Sequence, residues 1–394
     1  MLFITLLTSC PNAGLTPAEG PSYTKVAFGE DGATLNAYLQ EKPDGGPYYI
    51  EVTGLEAADL EGPNYYSASP LGEILKRNSE KQVALKLPAS VEGLDSMYNC
   101  FKFCNNLVSV QAIPTGVTTM NYCFEFCSSL EQAPAIPTKV NKMDKCFKGC
   151  SSLEQAPAIP SDVTDMPSCF EGCSSLTQAP AIPDKVDDMR SCFNGCSNLE
   201  QAPVLPASVT IIESCFSGCS SLTQAPAIPT GITTMGSCFK NCSSLTQAPG
   251  IPENVTYISG CFHGCSSLTQ APALPENVTY MSSCFNGCSS LTQAPAKLPL
   301  NVIYMSNCFK DCNKLTQAPD IPSSVTHIDH CLEGCSSLTG VTLTCDYKNN
   351  FTAVFSGCTA LENDGIKVPL GELQNYKDNA VAMGTTAEKF AAMP

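Results

Sequence analysis

Apolar residues recur along this chain at intervals that neither one long helix nor one strand explains. Leu107, Leu130, Leu153, Leu176, Leu199, Leu222, Leu245, Leu268 and Leu291 each open a 23-residue unit. The series resumes at Leu315, displaced by the insertion of Lys297 before Leu298, and a degenerate copy runs from Leu338 to Leu361. In the copy LTQAPAIPTGITTMGSCFKNCSS, apolar or small residues stand at positions 1, 4, 7, 11, 14, 17, 18 and 21: Leu222, Ala225, Ile228, Ile232, Met235, Cys238, Phe239 and Cys242. A fixed period of this length, with the same apolar positions in every copy, predicts a solenoid whose units cover one another's apolar sides. Position 14 is Met or Ile throughout, and position 18 is Phe from Phe101 to Phe309 before becoming Leu332. These columns are the expected core, with Phe supplying the largest apolar area.

Within a unit, Leu-Thr-Gln-Ala reads as a brief strand. From Pro134 to Pro319 a proline follows at position 5, removes a ladder donor and limits the strand, so the parallel sheet should be narrow. Position 10 is often Gly, Asn or Asp, as at Gly116, Asp162, Gly231, Asn254, Asn277 and Asn301, which suits a turn with positive φ. Val-Thr-x-Met reads as a second extended piece, and Cys-Phe-x-Gly-Cys as one helical turn stopped by its glycine. The fold class expected is an α/β repeat solenoid with short helical turns.

Outside the repeat the pattern is mixed. Ala33 to Glu41 has helical spacing, Tyr48 to Val52 alternates like a strand, Ser69-Pro70 suits the start of a helix through Asn78, and Gln82 to Leu87 is again a strand. This predicts an α/β N-terminal cap whose final strand joins the array. After the array, Ile366 to Val368 reads as a last strand, Leu370 to Met383 as a helix, and a short helix begins near Thr385, forming a helical C-terminal cap. The organisation expected is 1–10 signal segment, 11–22 flexible tether, 23–93 N-terminal cap, 94–361 repeats and 362–394 C-terminal cap.

The net charge of −16 disfavours nucleic acid and anionic bilayer surfaces, because both attract basic clusters. The apolar run from Met1 to Leu7 falls far short of the roughly 20 residues of a membrane span. MLFITLLTSC resembles the end of a bacterial lipoprotein signal peptide, which implies lipid attachment at Cys10, although no Lys or Arg precedes Lys25. Of the 25 cysteines, 22 form eleven C-x3-C pairs inside the repeat, so their number follows copy number; Cys10, Cys345 and Cys358 stand outside. Three readings of the pairs remain: packed thiols, partial disulfides, or ligands of metal sites shared between copies.

The unit L-x-x-A-x-A-I-P-x-x-V-T-x-M-x-x-C-F-x-G-C-S-S resembles the BspA-like, Treponema-type leucine-rich repeat. One copy carries the resemblance at Leu176, Ile182, Pro183, Val186, Cys192, Phe193 and Cys196. Cys stands where that family usually has Ala before Phe, and Ala-Pro replaces a bulkier aliphatic residue in the strand. The resemblance implies a right-handed leucine-rich-repeat coil that binds macromolecules at a cell surface, often host proteins.

Candidate binding residues follow from the exposed columns. Positions 2, 3 and 5 are expected to face outward, giving a stripe of Gln132, Gln155, Gln178, Gln201, Gln224, Gln247, Gln270, Gln293 and Gln317, flanked by Thr or Glu and by Pro. Amides one strand spacing apart can contact a ligand or hydrogen-bond to one another within the stack. Tyr257, Tyr280 and Tyr304, followed by His327, share position 13 and offer an aromatic strip. His327, His330, Cys331 and Cys335 fall in one unit, but positions 13 and 16 vary elsewhere as a solvent face does, so the histidines read as surface residues. No Ser-His-Asp arrangement or phosphate loop is visible, and no enzyme activity, cofactor or metal is expected. The expected function is binding of extracellular or host proteins or glycans at the cell surface, with the membrane reached through a lipid anchor alone; the alternative is a structural spacer or coat element.

Overall fold

Each unit is too short to enclose its own apolar residues, and in the computed structural model, which describes residues 21–393, the units are wound as stacked coils. Leu at position 1, Val or Ile at 11, Met or Ile at 14, Cys at 17 and 21, and Phe at 18 all point inward and are fully buried along the array. From Phe124 to Phe309 consecutive phenyl rings stack with centroids 5.3 to 5.8 Å apart. The core is therefore a row of side-chain columns running the length of the solenoid.

The N-terminal cap opens the same parallel sheet. Strands β1 (Thr24–Ala27), β2 (Gly45–Thr53), β3 (Lys81–Lys86) and β4 (Leu107–Val110) pair in that order, with α1 (Ala33–Gln40) and α2 (Pro70–Arg77) on the connections. The Ser69 hydroxyl caps α2 by accepting from the Gly72 amide at 3.1 Å. Gly72 also lets α2 approach the first coil closely, because a Cβ there would stand 2.3 Å from the Cys100 carbonyl oxygen. The Asn106 amide completes the join by donating to the carbonyls of Leu75, Asn78 and Lys81. At the other end β5 (Val341–Thr342), β6 (Ile366–Val368) and β7 (Phe390–Ala392) form a second parallel ladder.

Between these ladders the sheet thins, as the prolines predict, to single-residue bridges. One column of bridges follows position 3, linking Gln132 through Gln247 coil by coil, and the other follows position 13.

Several sequence expectations are corrected. The Cys-Phe-x-Gly-Cys segment is not helical. Position 16 takes a left-handed φ even without glycine, as at Ser168 (53°) and Ser191 (54°), and position 20 does so again at Gly172 (75°). The chain thus alternates direction. Cys169 and Cys173 amides bond back within their own coil, while the Phe170 and Gly172 amides donate to Cys192 and Asn194 carbonyls of the next. A helix would keep all of these bonds local; the alternation hands every second one to the neighbour and so ties the stack together.

The positive φ expected at position 10 is absent: Gly116, Asp162, Gly231, Asn254, Asn277 and Asn301 lie outside the left-handed region. Asn254, Asn277 and Asn301 instead donate across to backbone carbonyls of the preceding coil. Position 5 does not face outward either; its prolines are buried or half-buried. In the C-terminal cap α3 is shorter than expected, Leu373–Asp378, and Ile366–Val368 is not the last strand, because β7 follows. The expected signal segment and Cys10 lie outside the described residues.

Candidate binding faces

The bridge at position 3 places each Gln side chain on the outer side of the sheet, between an inward Leu at position 1 and an Ala at position 4 that is half-buried or, at Ala271, buried. All nine glutamines of the stripe, Gln132, Gln155, Gln178, Gln201, Gln224, Gln247, Gln270, Gln293 and Gln317, are exposed. The backbone ladder beneath them is continuous from Ser109 to Gln247, resumes between Gln270 and Gln293, and is interrupted at the inserted Lys297. Among the described residues the amide of Gln317 alone bonds to another side chain, donating to the Thr339 hydroxyl at 2.8 Å. The other eight amides keep their donors and acceptors open. Position 2 beside them is exposed Glu or Thr, including Glu131, Glu154 and Glu200, none of which forms an ion pair among the described residues.

At its N-terminal end the stripe meets a wall. Tyr23 and Tyr49 pack edge to face, 5.5 Å between centroids, and with Pro47, Gln82, Gln111 and Gln132 they line a groove of about 550 Å3. Burial, then the neighbouring Tyr49, raises the Tyr23 phenol above its ordinary pKa.

The strip at position 13 is continuous over four coils. Tyr257 and Tyr280 lie 5.8 Å apart, Tyr280 and Tyr304 5.0 Å, and Tyr304 and His327 4.6 Å. Tyr257 is 38% and Tyr280 43% exposed, whereas Tyr304 and His327 are half-buried. His327 exchanges a hydrogen bond with the Thr326 hydroxyl, and His330 contacts Glu333, which also pairs with Lys310 at 3.1 Å. Burial alone would raise the Glu333 carboxyl, but bonds from His330 and Lys310 outweigh it and hold the group below its ordinary pKa. Cys331 and Cys335 point into the core, away from both imidazoles. The third histidine, His263, is held neutral more firmly than usual by burial and by nearby Lys240.

A third face escaped the sequence reading. Position 20 is Gly, Asn or Asp in most coils, but the first two carry Phe103 and Phe126, exposed and stacked 5.2 Å apart. Both hold left-handed φ values, 63° and 59°, which are costly for a bulky residue. Phe126 lies over Gly149, where a Cβ would stand 2.4 Å from the ring. The cap loop adds Tyr65, edge-on to Tyr122 at 5.3 Å, and Tyr66, 82% exposed. Beneath them the buried Lys102 ammonium pairs with Glu125 at 2.8 Å, donates to the Tyr65 carbonyl, and sits 4.3 Å from the Tyr65 ring centre. The available signal was the presence of Phe in a column that elsewhere holds only Gly, Asn or Asp.

The cysteines have a structural assignment. Along the array the position-21 thiol donates to the position-18 carbonyl of the preceding coil, as from Cys173 to Phe147 and Cys196 to Phe170, each 3.1 Å. Burial pushes the thiols upward, to about 12 at Cys192, Cys219 and Cys265, which suppresses the nucleophilic thiolate. No three metal-ligating side chains converge among the described residues, and no described helix is long and apolar enough to cross a membrane.

With this geometry in hand, comparison with known proteins places the chain. Residues 77–200, 189–316 and 283–382 match the model of the BspA type leucine rich repeat region. The chain belongs to that family. A leucine-rich repeat protein from Bacteroides ovatus is similar in fold, with a TM-score of 0.56 at 22% identity over 80% of this chain and 86% of that one. A leucine rich cell surface protein from Faecalibacterium prausnitzii gives a TM-score of 0.49 at 22% identity, over 83% of this chain and 85% of that one. No curated protein matches the sequence. Proteins of this repeat family typically bind proteins and are surface-associated.

Proposed function

We propose that this chain is a surface-exposed, non-catalytic binding protein that holds an extracellular or host protein or glycan in an adhesion-type interaction, anchored through lipid on Cys10. The observation that carries the reading is the glutamine stripe. Nine exposed amides recur at one position, and eight are not consumed by hydrogen bonds within the stack, so stabilising the solenoid does not account for them. The tyrosine strip and the strained Phe103 and Phe126 corner add exposed aromatic side chains, the residue class enriched where partners bind most strongly. Family membership agrees, since leucine-rich repeat proteins are generally binding scaffolds.

The test has two arms. Cells expressing the full chain are labelled with a membrane-impermeant reagent, with and without Cys10→Ser; retention at the surface should be lost in the variant. Adhesion to immobilised matrix proteins and glycans is then measured for a variant with Gln155, Gln178 and Gln201 all changed to Ala. A spacer would attach equally well with and without those three amides, and that result rejects the binding role.

A further inference from the structure

Unlike the buried columns, the glutamine column repeats on an exposed face, and what it repeats there is informative. A protein partner presents an irregular surface, and a site selected for it diversifies from coil to coil. Here the same neutral amide, offering two donors and an acceptor, stands at Gln132, Gln155, Gln178, Gln201, Gln224 and Gln247 over an unbroken backbone ladder. Adjacent coils are about 4.8 Å apart in such a ladder. A ligand that satisfies this row must be periodic along one axis, with hydroxyl-type groups at about the thickness of one coil.

Charge narrows the class. The carboxylates at Glu131, Glu154 and Glu200 lie beside the row without cationic partners among the described residues, and the whole chain carries −16. An anionic polymer is repelled there. On the cap strands Lys25 and Lys86 share the one carboxylate of Glu51, which leaves a single net positive charge there against the acidic run beside the row. The end wall supplies what a sugar ring needs beyond hydrogen bonds: the Tyr23 and Tyr49 pair gives an apolar aromatic surface, while Gln82 and Gln111 lie beside it in the same groove.

Resting on the binding role proposed above, we infer that the stripe binds a linear, uncharged polysaccharide lying along the solenoid axis, roughly one sugar to a coil, with one terminus against Tyr23 and Tyr49. Contacts of this kind are individually weak and add along the row, so affinity follows ligand length.

The full-length protein is tested on an array of linear glucans, xylans, mannans and galactans of graded length, with alginate and hyaluronan as anionic controls and fibrous matrix proteins as a separate arm. Affinity for at least one neutral series should rise by about tenfold or more from tetramer to octamer, change little with salt, and fall at least tenfold when Gln155, Gln178 and Gln201 are changed to Ala. Tyr49→Ala should weaken binding to short oligomers more than to long ones. Melting curves confirm that both variants keep the fold, since the altered side chains are not in the core. Failure to bind any neutral series, affinity independent of length, or binding untouched by the triple variant overturns the inference. If matrix proteins bind instead, and that binding needs the three glutamines, the glycan assignment falls while the binding role of the stripe stands.

Discussion

Within the coil that starts at Leu176, Gln178 and Cys196 are members of two columns that each repeat through the array, yet the stack treats them in opposite ways. Cys196 is fully buried, and its thiol serves the Phe170 carbonyl of the coil before it. Gln178 is exposed, and its side chain bonds to nothing else in the described chain. Repetition by itself therefore says nothing about purpose. A repeated buried residue is accounted for by the neighbour it contacts; a repeated exposed residue with open hydrogen-bonding groups is not.

The strongest way to attack the buried side of this contrast is alkaline pH. Well below the ordinary thiol pKa of about 8.5 the thiols are protonated whether the chain is folded or not, and their contribution is complete. As pH rises towards the folded values of about 12 at Cys192, Cys219 and Cys265, the unfolded chain ionises first and binds fewer protons, so stability falls by about 1.4 kcal/mol per thiol per pH unit. With so many thiols, the array should lose its far-ultraviolet signal by about pH 11 in the presence of reductant. A signal that persists well beyond that pH would contradict the assignment of the cysteines as buried, protonated thiols.

Next in size is Phe193→Ala, which opens a gap in the phenyl column and should cost about 3 to 5 kcal/mol, read as a lowered denaturant midpoint. Cys196→Ala should cost less, about 1 to 3 kcal/mol, because it removes one sulfur and leaves the Phe170 carbonyl with one bond fewer. Equal costs for the two would show that the core does not rest on the aromatic column. Gln178→Ala completes the series with a change within about 0.5 kcal/mol; a larger loss would mean that the glutamines support the stack after all.

How much of this was written legibly in the chain depends on the range of the forces involved. The inward columns were readable because burial acts the same way in every copy: Leu176, Met189, Phe193 and Cys196 could be assigned to the core by spacing alone. The cap strand β3 and the Ser69 cap of α2 were also visible, since both rest on local chemistry. The turn through Cys192 and Phe193 was not. Its apolar spacing imitates a helix, and the bonds that decide otherwise connect to the next coil, which local propensity does not register. β7 was missed for the same reason, because Phe390 to Ala392 becomes a strand by pairing with β6. For the candidate faces, the glutamine and tyrosine columns could be named from sequence. The corner built by Tyr65, Tyr66, Phe103 and Phe126 depends on how a cap loop folds over the first coils, and that arrangement was not accessible.

The near-identity of successive junctions has one more consequence. Because each coil offers its successor the same carbonyls, rings and thiols that it receives from its predecessor, removing one whole unit from the middle leaves every remaining junction, and both ends, chemically unchanged. Reach is thus an independent variable of this architecture: recombination between copies can lengthen or shorten the molecule in steps of one coil without having to invent a new contact.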